Sequence, residues 1–242
     1  MDDKETSAIE EEDIIAFMNV LGHDLLNTNQ AVLGYIDLIK ASAYEPQKVR
    51  DYSDKALSNL RKCALMMDSV GKMLVTGRVE PPRPVGPVDL GSLLERAGSE
   101  LAAIFPERQV RLDGSAAKIR PVADERLLRT VILNVLVDLV SMDTAGGVEI
   151  DVTATRTAKG GDRVFRMSFT RRGARMPSFL KRGLAETLRA EDISKTVKAT
   201  GMLFAMLVAR RLGGDLQVQE ARGAGHQQGI ACTLTIREVG PG

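Results

Sequence analysis

The sequence is poor in cysteine and histidine, with two of each among 242 residues. Cys63 and Cys232 lie in unlike contexts, so they predict neither a disulfide framework nor a metal site. No His and Cys side chains have the spacing of zinc ligands, and no Ser-His-Asp or Cys-His signature is visible. A small number of cysteines with no predicted disulfide is typical of a reducing compartment, and we expect a cytoplasmic protein.

Long hydrophobic runs and an excess of charge of either sign are also lacking. The longest apolar run, residues 202–209, is far too short to span a bilayer. The N-terminus is acidic rather than basic, so we expect no secretory signal peptide. The 33 Lys and Arg side chains nearly balance the 32 Asp and Glu side chains, and this net charge of +1 argues against binding to nucleic acid.

Helical periodicity dominates the first third of the chain. From about residue 10 to residue 41, core-compatible residues recur at spacings of three and four, which predicts one long helix with a heptad-like seam. That seam consists of Ile14, Phe17, Leu21, Leu25, Thr28, Val32, Tyr35 and Ile39. Pro46 suits the opening of a second helix over residues 47–74. Its matching seam consists of Val49, Tyr52, Ala56, Leu60, Cys63, Met67, Val70 and Leu74.

Two helices of matching length joined by a short turn predict an antiparallel hairpin. One hairpin leaves its seam half covered, whereas two hairpins could close a four-helix bundle. We therefore predict a homodimer. The alternative is that the hairpin packs on the rest of its own chain.

A proline-rich stretch follows the hairpin. Residues 76–87 hold four of the nine prolines, and proline is excluded from helix interiors and central strands. The sequence therefore predicts a helical domain at residues 1–76, a linker at 77–87 and a second domain at 88–242.

Strands and helices alternate in mixed succession through the second domain. The predicted helices are residues 93–105, 125–142 and 202–212, and Asp124 is the predicted N-cap of the second of these. The predicted strands are residues 110–112, 119–122, 147–155, 163–170, 216–219 and 230–236. Residues 159–162 predict a hairpin turn. This order predicts an α+β sandwich with one layer of helices on a mixed sheet.

A polar face runs along the first helix beside its seam. Because each residue turns the helix by about 100°, His23 points roughly opposite Leu21, and Asn19 and Asn27 lie on its side. A solvated face that happens to carry a histidine would look the same. However, Asp24 flanks the ring, and a neighbouring carboxylate can fix the tautomer of an imidazole and make one nitrogen a better nucleophile.

The run GHDLLNTNQAVLGYIDLI, with its His-Asp-x-x-Asn core, resembles the phospho-acceptor box of two-component histidine kinases, in its archaeal form. The resemblance implies that His23 accepts a phosphoryl group, that Asp24 is its activating base, and that Asn27 positions water for dephosphorylating a partner. That partner would be the receiver domain of a response regulator. Thr28 stands where the common bacterial box has proline.

Residues from about 88 to 236 resemble the ATP-binding domain of the same kinases, a fold also used by gyrase and Hsp90. The first nucleotide box of that family carries two Asn residues four apart on a helix. Here the matching positions are Asn134 and Asp138, which share a helix face. The resemblance implies that, if a nucleotide binds, Asn134 and Asp138 contact the nucleotide and its magnesium.

The other two nucleotide boxes are altered. Arg171 stands where the family has an Asp that accepts a hydrogen bond from adenine, and Arg has only donors. Arg175 replaces a glycine. The third box keeps only Gly201, and Leu203 and Phe204 add bulk where phosphates would need room. These changes argue against conventional ATP binding, and we expect no cofactor.

Three functions remain open at this point. The first is a histidine phosphotransfer protein, derived from a histidine kinase, that exchanges a phosphoryl group between His23 and receiver aspartates. The second is an active, divergent kinase that phosphorylates His23 from ATP with Mg²⁺. The third is a non-catalytic regulator that binds a kinase or a receiver, with no phosphoryl chemistry of its own.

Two further features have plain interpretations. His226 lies in a glycine-rich stretch, where a histidine is usually exposed and without a task. A run of cations is most simply a solvated edge, although it could also be a docking surface for an acidic partner. Its members are Arg171, Arg172, Arg175, Lys181 and Arg182.

Overall fold

The structure is a computed structural model that describes residues 11–78, 86–113, 115–142, 147–159, 162–188, 199–222 and 228–238. Residues 79–85 of the predicted linker, the turn residues 160–161 and His226 lie outside the described residues, so the predicted domain boundaries stay predictions. Two helices come first, α1 (Glu11–Ala41) and α2 (Pro46–Arg78), and both were predicted. Pro46 opens α2 as expected.

The two helices form the predicted antiparallel hairpin. Tyr35 of α1 stacks on Tyr52 of α2 with ring centroids 6.4 Å apart. Further along, the thiol of Cys63 lies 3.6 Å from the amide oxygen of Asn29. The earlier of the two α1 residues contacts the later of the two α2 residues, so the helices run in opposite directions.

The predicted seam is buried or half-buried along α1, whereas on α2 two of its members are exposed in the single chain. Phe17, Leu21 and Val32 are buried on α1. On α2, however, Leu60 and Met67 are exposed. α2 has two buried faces within the chain, and neither of them covers these two side chains.

The second buried face of α2 packs on the rest of the chain. The hydroxyl of Ser58 donates to the carbonyl of Ile104, and the hydroxyl of Ser69 accepts from the side-chain amide of Asn134. Ser58 and Ser69 are eleven residues apart, close to three full turns, so they lie on one face of α2. The hairpin is therefore docked onto the sandwich that follows it.

The remaining helices and strands build that sandwich. The helices are α3 (Leu90–Ile104), α4 (Glu125–Ser141), α5 (Leu184–Leu188) and α6 (Thr200–Arg211). The strands are β1 (Gly86–Pro87), β2 (Val110–Asp113), β3 (Val122–Ala123), β4 (Val148–Lys159), β5 (Asp162–Arg172), β6 (Asp215–Arg222) and β7 (Gln228–Glu238). Asp124 caps α4 as predicted, because its carboxylate accepts from the backbone N–H groups of Arg126 and Leu127.

Five strands form one mixed sheet in the order β2-β4-β5-β7-β6. β2 and β4 are parallel, and the other neighbours are antiparallel. Lys159 pairs with Asp162, as the predicted hairpin requires. The strand predicted at 119–122 is wrong for residues 119–121. A 3₁₀ turn at Ser115–Lys118 closes through a hydrogen bond from Ile119 to Ala116, so extended pairing begins only at Val122.

The core lies between the sheet and the helical layer, and it is continuous with the hairpin. Every residue of α6 from Thr200 to Ala209 is buried, as is α4 from Val131 to Val140. Phe17 of α1 packs against Phe204 of α6 with ring centroids 6.4 Å apart. The helix that carries His23 is therefore held directly against α6. None of the helices in the described ranges is long and apolar enough to cross a membrane.

Candidate functional site

The imidazole of His23 lies on the outer side of α1, and its side chain is 41% exposed. Its Nδ1 atom is 3.0 Å from the side-chain nitrogen of Asn27, one turn further along, and 4.0 Å from a carboxylate oxygen of Asp24. Nε2 makes no hydrogen bond to any residue that the structure describes. One ring nitrogen is thus turned toward the two predicted partners, and the other is left for an incoming group.

This contact suits either tautomer of the ring. When Nδ1 has no proton, the amide of Asn27 donates to it; when Nδ1 is protonated, the amide can turn to present its oxygen. Protonation at Nδ1 leaves the lone pair on Nε2, which is the form needed for nucleophilic attack at Nε2. His23, Asp24 and Asn27 are therefore brought together as the sequence predicted, in an arrangement able to accept an electrophilic phosphorus.

Asp24 connects this group to the sandwich. One oxygen of its carboxylate faces His23, and the other accepts a hydrogen bond from the hydroxyl of Thr200, the first residue of α6. Burial raises the pKa of Asp24, while the hydrogen bond from Thr200 and the nearby His23 lower it. Sequence reasoning missed Thr200 because it lies 176 residues from Asp24 and no local pattern links the two.

Asp138, which belongs to α4, also contacts the first turn of α6. Its carboxylate accepts from the backbone N–H of Met202 at 2.7 Å and also from the backbone of Gly201. Burial raises the pKa of Asp138 well above its usual range, the backbone hydrogen bond from Met202 opposes this, and the nearby carboxylate of Asp24 adds to it. The start of α6 thus faces two carboxyl groups of its own chain.

Asn134 shares a face of α4 with Asp138, as predicted, yet it is used differently. It is buried, and its side-chain nitrogen donates to the hydroxyl of Ser69 at 2.9 Å and to the carbonyl of Thr130 at 2.8 Å. Its amide therefore joins α4 to α2 in the docked hairpin. The structure brings Asp24 and Asp138 together at α6, and it places Asn134 at the contact with α2.

The predicted cationic run does not form one surface. Arg171 is buried, and its guanidinium donates to the carbonyl of Leu139 on α4. Arg172 pairs with Asp151 at 2.8 Å, and Lys181 pairs with Glu220 at 3.0 Å. Because one member is internal and two are paired with carboxylates, the run offers less free positive charge than its sequence suggests.

Comparison with solved structures places this arrangement in a known fold. Histidine kinase AdeS from Acinetobacter baumannii matches with a TM-score of 0.51 and 11% identity, over 88% of this chain and 98% of that chain. Full-length ShkA, solved in complex with AMPPNP, matches with a TM-score of 0.52 and 16% identity, over 98% of this chain and 47% of that chain. This chain thus spans about half the length of ShkA.

These likenesses show a two-component histidine kinase-like fold, a helical hairpin followed by an ATP-binding type of sandwich, as the sequence predicted. No family model matches the chain, and no curated protein matches it in sequence. The likeness concerns the fold, and what the site does has to be argued from its own residues.

The described residues at the start of α6 bear on the ATP and Mg²⁺ that this fold implies. A Cβ atom at Gly201 would lie 2.5 Å from the carbonyl oxygen of Asn134, so α4 and α6 are in close contact there. Two first-turn N–H groups of α6, those of Gly201 and Met202, already donate to Asp138 and would have to be released to bind a phosphate. Within the described ranges, no group of three or more His, Cys, Asp or Glu side chains could hold a metal ion.

The close approach of α4 and α6 predicts the effect of Gly201→Ala. The added methyl group would meet the backbone of Asn134, which cannot move aside as a flexible side chain could. We expect a loss of about 1–3 kcal/mol in the free energy of unfolding, measured in urea. Gly34→Ala is the matched control, because a Cβ there meets nothing within 4 Å and should stabilise α1 by up to about 1 kcal/mol. A Gly201→Ala protein as stable as the control would show that a gap exists between the helices.

Proposed function

We propose that this chain is a histidine phosphotransfer protein that exchanges a phosphoryl group between His23 and the aspartates of response-regulator receiver domains. The observation that carries the proposal is a contrast within one molecule. The histidine site has an exposed ring with its carboxylate and amide beside it, whereas at the start of α6 the carboxylate of Asp138 accepts from the backbone N–H of Met202 and α4 lies in close contact with Gly201.

In the proposed reaction, Nε2 of His23 attacks the phosphorus of a receiver aspartyl phosphate. The N–P bond forms as the bond from phosphorus to the aspartate oxygen breaks, and the receiver carboxylate leaves with that electron pair. The ring then carries its proton on Nδ1, where Asp24 and Asn27 can support it. Such a transfer depends mainly on alignment and charge stabilisation, so a receiver that brings its own Mg²⁺ would leave little else for this chain to supply.

Autophosphorylation from ATP makes heavier demands. A phosphate bound at the start of α6 would have to enter beside the close contact of α4 with Gly201, and Asp138 would have to release the N–H of Met202. That release would break a buried contact, and a buried carboxylate left without its donors is costly. We therefore favour phosphotransfer over the kinase function.

We also propose that the chain acts as a homodimer. Beside the seam, α1 carries a second apolar stripe that includes Leu26 and Leu33, 57% and 63% exposed. A similar stripe on α2 includes Leu57, Leu60 and Met67, the last 59% exposed. Apolar side chains that recur on one face of a helix and remain exposed support an interface at that face. A second hairpin laid on both stripes would complete a four-helix bundle and leave His23 at its surface.

The proposed function predicts phosphoryl transfer to His23. Each receiver domain encoded by the same genome is loaded with radiolabelled acetyl phosphate, freed of donor and mixed with the purified chain. At least one should transfer acid-labile, base-stable label, and His23→Ala should take at least about 100-fold less because the nucleophile is gone. His226→Ala is the matched control and should label normally.

The same preparation with radiolabelled ATP and Mg²⁺ separates the alternatives. The proposed function predicts no label from ATP. Label on His23 from ATP would favour the kinase function instead. Absence of transfer from every receiver, together with a cellular effect that survives His23→Ala, would favour a non-catalytic regulator.

The contact between Asn27 and the ring generates a separate prediction. If the amide of Asn27 positions water for dephosphorylating the receiver, Asn27→Ala should slow receiver dephosphorylation on the order of 100-fold while His23 still takes label. Asn19→Ala, one turn before His23, removes the same amide from an exposed position and should change neither rate. Equal loss of both activities in Asn27→Ala would count against this role.

The proposed dimer can be tested by placing a charge in the apolar stripe. Leu33→Glu should shift the mass measured by light scattering from a dimer to the 26.3 kDa monomer, because a buried carboxylate without a partner opposes association. Leu38→Glu is the control, since Leu38 is 43% exposed and lies about 140° further around α1. A wild-type protein that is monomeric at micromolar concentration would contradict the proposal.

A further inference from the structure

The contact between Asp24 and Thr200 is a direct side-chain link between the acceptor helix and the sandwich at the histidine site. Thr200 is buried, and it begins α6. The packing around this contact is apolar and independent of it, because Phe17 and Leu21 of α1 are buried and Phe17 contacts Phe204. The hydroxyl of Thr200 is therefore not needed to bring α1 and α6 together.

The two oxygens of the Asp24 carboxylate face in different directions. Oδ2 accepts from the hydroxyl of Thr200, and Oδ1 lies 4.0 Å from Nδ1 of His23. An aspartate carboxylate turns easily about its last torsion, and that torsion has broad, shallow preferences. A hydrogen bond to one oxygen restricts this rotation, and so it determines where the other oxygen points.

We propose that Thr200 is a positioning residue for phosphoryl transfer at His23, holding Asp24 so that its free oxygen supports the proton on Nδ1 while Nε2 accepts the phosphoryl group. The proposal rests on the proposed phosphotransfer function. It adds no reactant to that step. The N–P bond forms as the receiver's P–O bond breaks, the proton stays on Nδ1, and the carboxylate of Asp24 balances the positive charge of the ring.

The groups around Asp24 give this contact a second effect. His23 faces it from its own helix, Asp138 from α4, and Thr200 from α6. Burial raises the pKa of Asp24, and the hydrogen bond from Thr200 lowers it. Thr200 therefore helps to keep Asp24 ionised. Without that hydrogen bond the pKa of Asp24 rises further, so the carboxylate is protonated at a higher pH. When the pH is lowered, an activity that needs the ionised carboxylate is therefore lost earlier.

The test compares Thr200→Val, which removes the hydroxyl at nearly constant shape, with Thr200→Ser, which keeps it. With a phosphorylated receiver as donor, Thr200→Val should lower the maximal transfer rate roughly 10- to 100-fold. The receiver concentration at half-maximal rate should stay unchanged. The acid limb of the pH profile should move to higher pH, and Thr200→Ser should restore both rate and profile.

A readout that needs no phosphoryl donor comes from nitrogen NMR of the ring, which reports which nitrogen carries the proton. The chain has two histidines, so in a His226→Ala variant the imidazole resonances come from His23 only. In Thr200→Val the ring should shift away from the Nδ1-protonated form, and Thr200→Ser should not. Urea unfolding of each variant checks that the fold persists.

The outcomes separate the two proposals. Wild-type label that depends on His23 but is unaffected by Thr200→Val, with unchanged ring resonances, would overturn the role of Thr200 and leave the phosphotransfer function standing. Failure of the wild-type chain to accept label from any receiver would overturn the function. The ring resonances would then still decide whether Thr200 positions Asp24. A Thr200→Val protein that loses activity only because it unfolds would overturn the positioning role.

Discussion

The first turn of a helix has backbone N–H groups that the helix itself cannot satisfy, and the way α6 meets this requirement governs much of the structure. In a fold that binds nucleotides, a phosphate can serve at such a position. Here the carboxylate of Asp138 accepts from Gly201 and Met202, and α4 lies in contact with α6. Two of the N–H groups at the helix start are therefore satisfied by a carboxylate of the same chain.

The same helix start is also where the acceptor helix is anchored. Thr200 directs its hydroxyl to Asp24 rather than into the sandwich, and apolar packing through Phe17 and Phe204 holds the two helices in register. The polar contacts of α2 with α4, centred on Ser69 and Asn134, fix the hairpin from its other side. The hairpin is therefore held to the sandwich by two sets of contacts, one from α1 to α6 and one from α2 to α4. His23 lies on a face of α1 that neither set covers.

The sequence was sufficient for the features that depend on local pattern. The long periods of α1 and α2, the capping of α4 by Asp124 and the hairpin between β4 and β5 follow from residues close together in the chain, and each was predicted. The group of His23 with its neighbours on α1 was predictable for the same reason, since one turn of helix sets their spacing.

Most of what the sequence did not show depends on packing between distant segments. Periodicity identifies the apolar face of α2 that includes Leu60 and Met67 without showing what covers it, and within one chain these two side chains are exposed. The altered box at Arg171 signalled a changed site, but nothing in it indicated that the guanidinium would reach the carbonyl of Leu139. Thr200 drew no attention, because its importance comes only from a side chain on another helix.

The contact of α4 with α6 at Gly201 and the carboxylate of Asp24 that Thr200 holds are linked by geometry. Any movement of α6 away from α4 that made room beside Gly201 would also displace Thr200, the preceding residue, from Asp24. In this chain a phosphate at the start of α6 and a carboxylate positioned by Thr200 therefore compete for the same helix position. One placement of α6 therefore sets both the contact with α4 at Gly201 and the hydrogen bond from Thr200 to Asp24 beside the histidine.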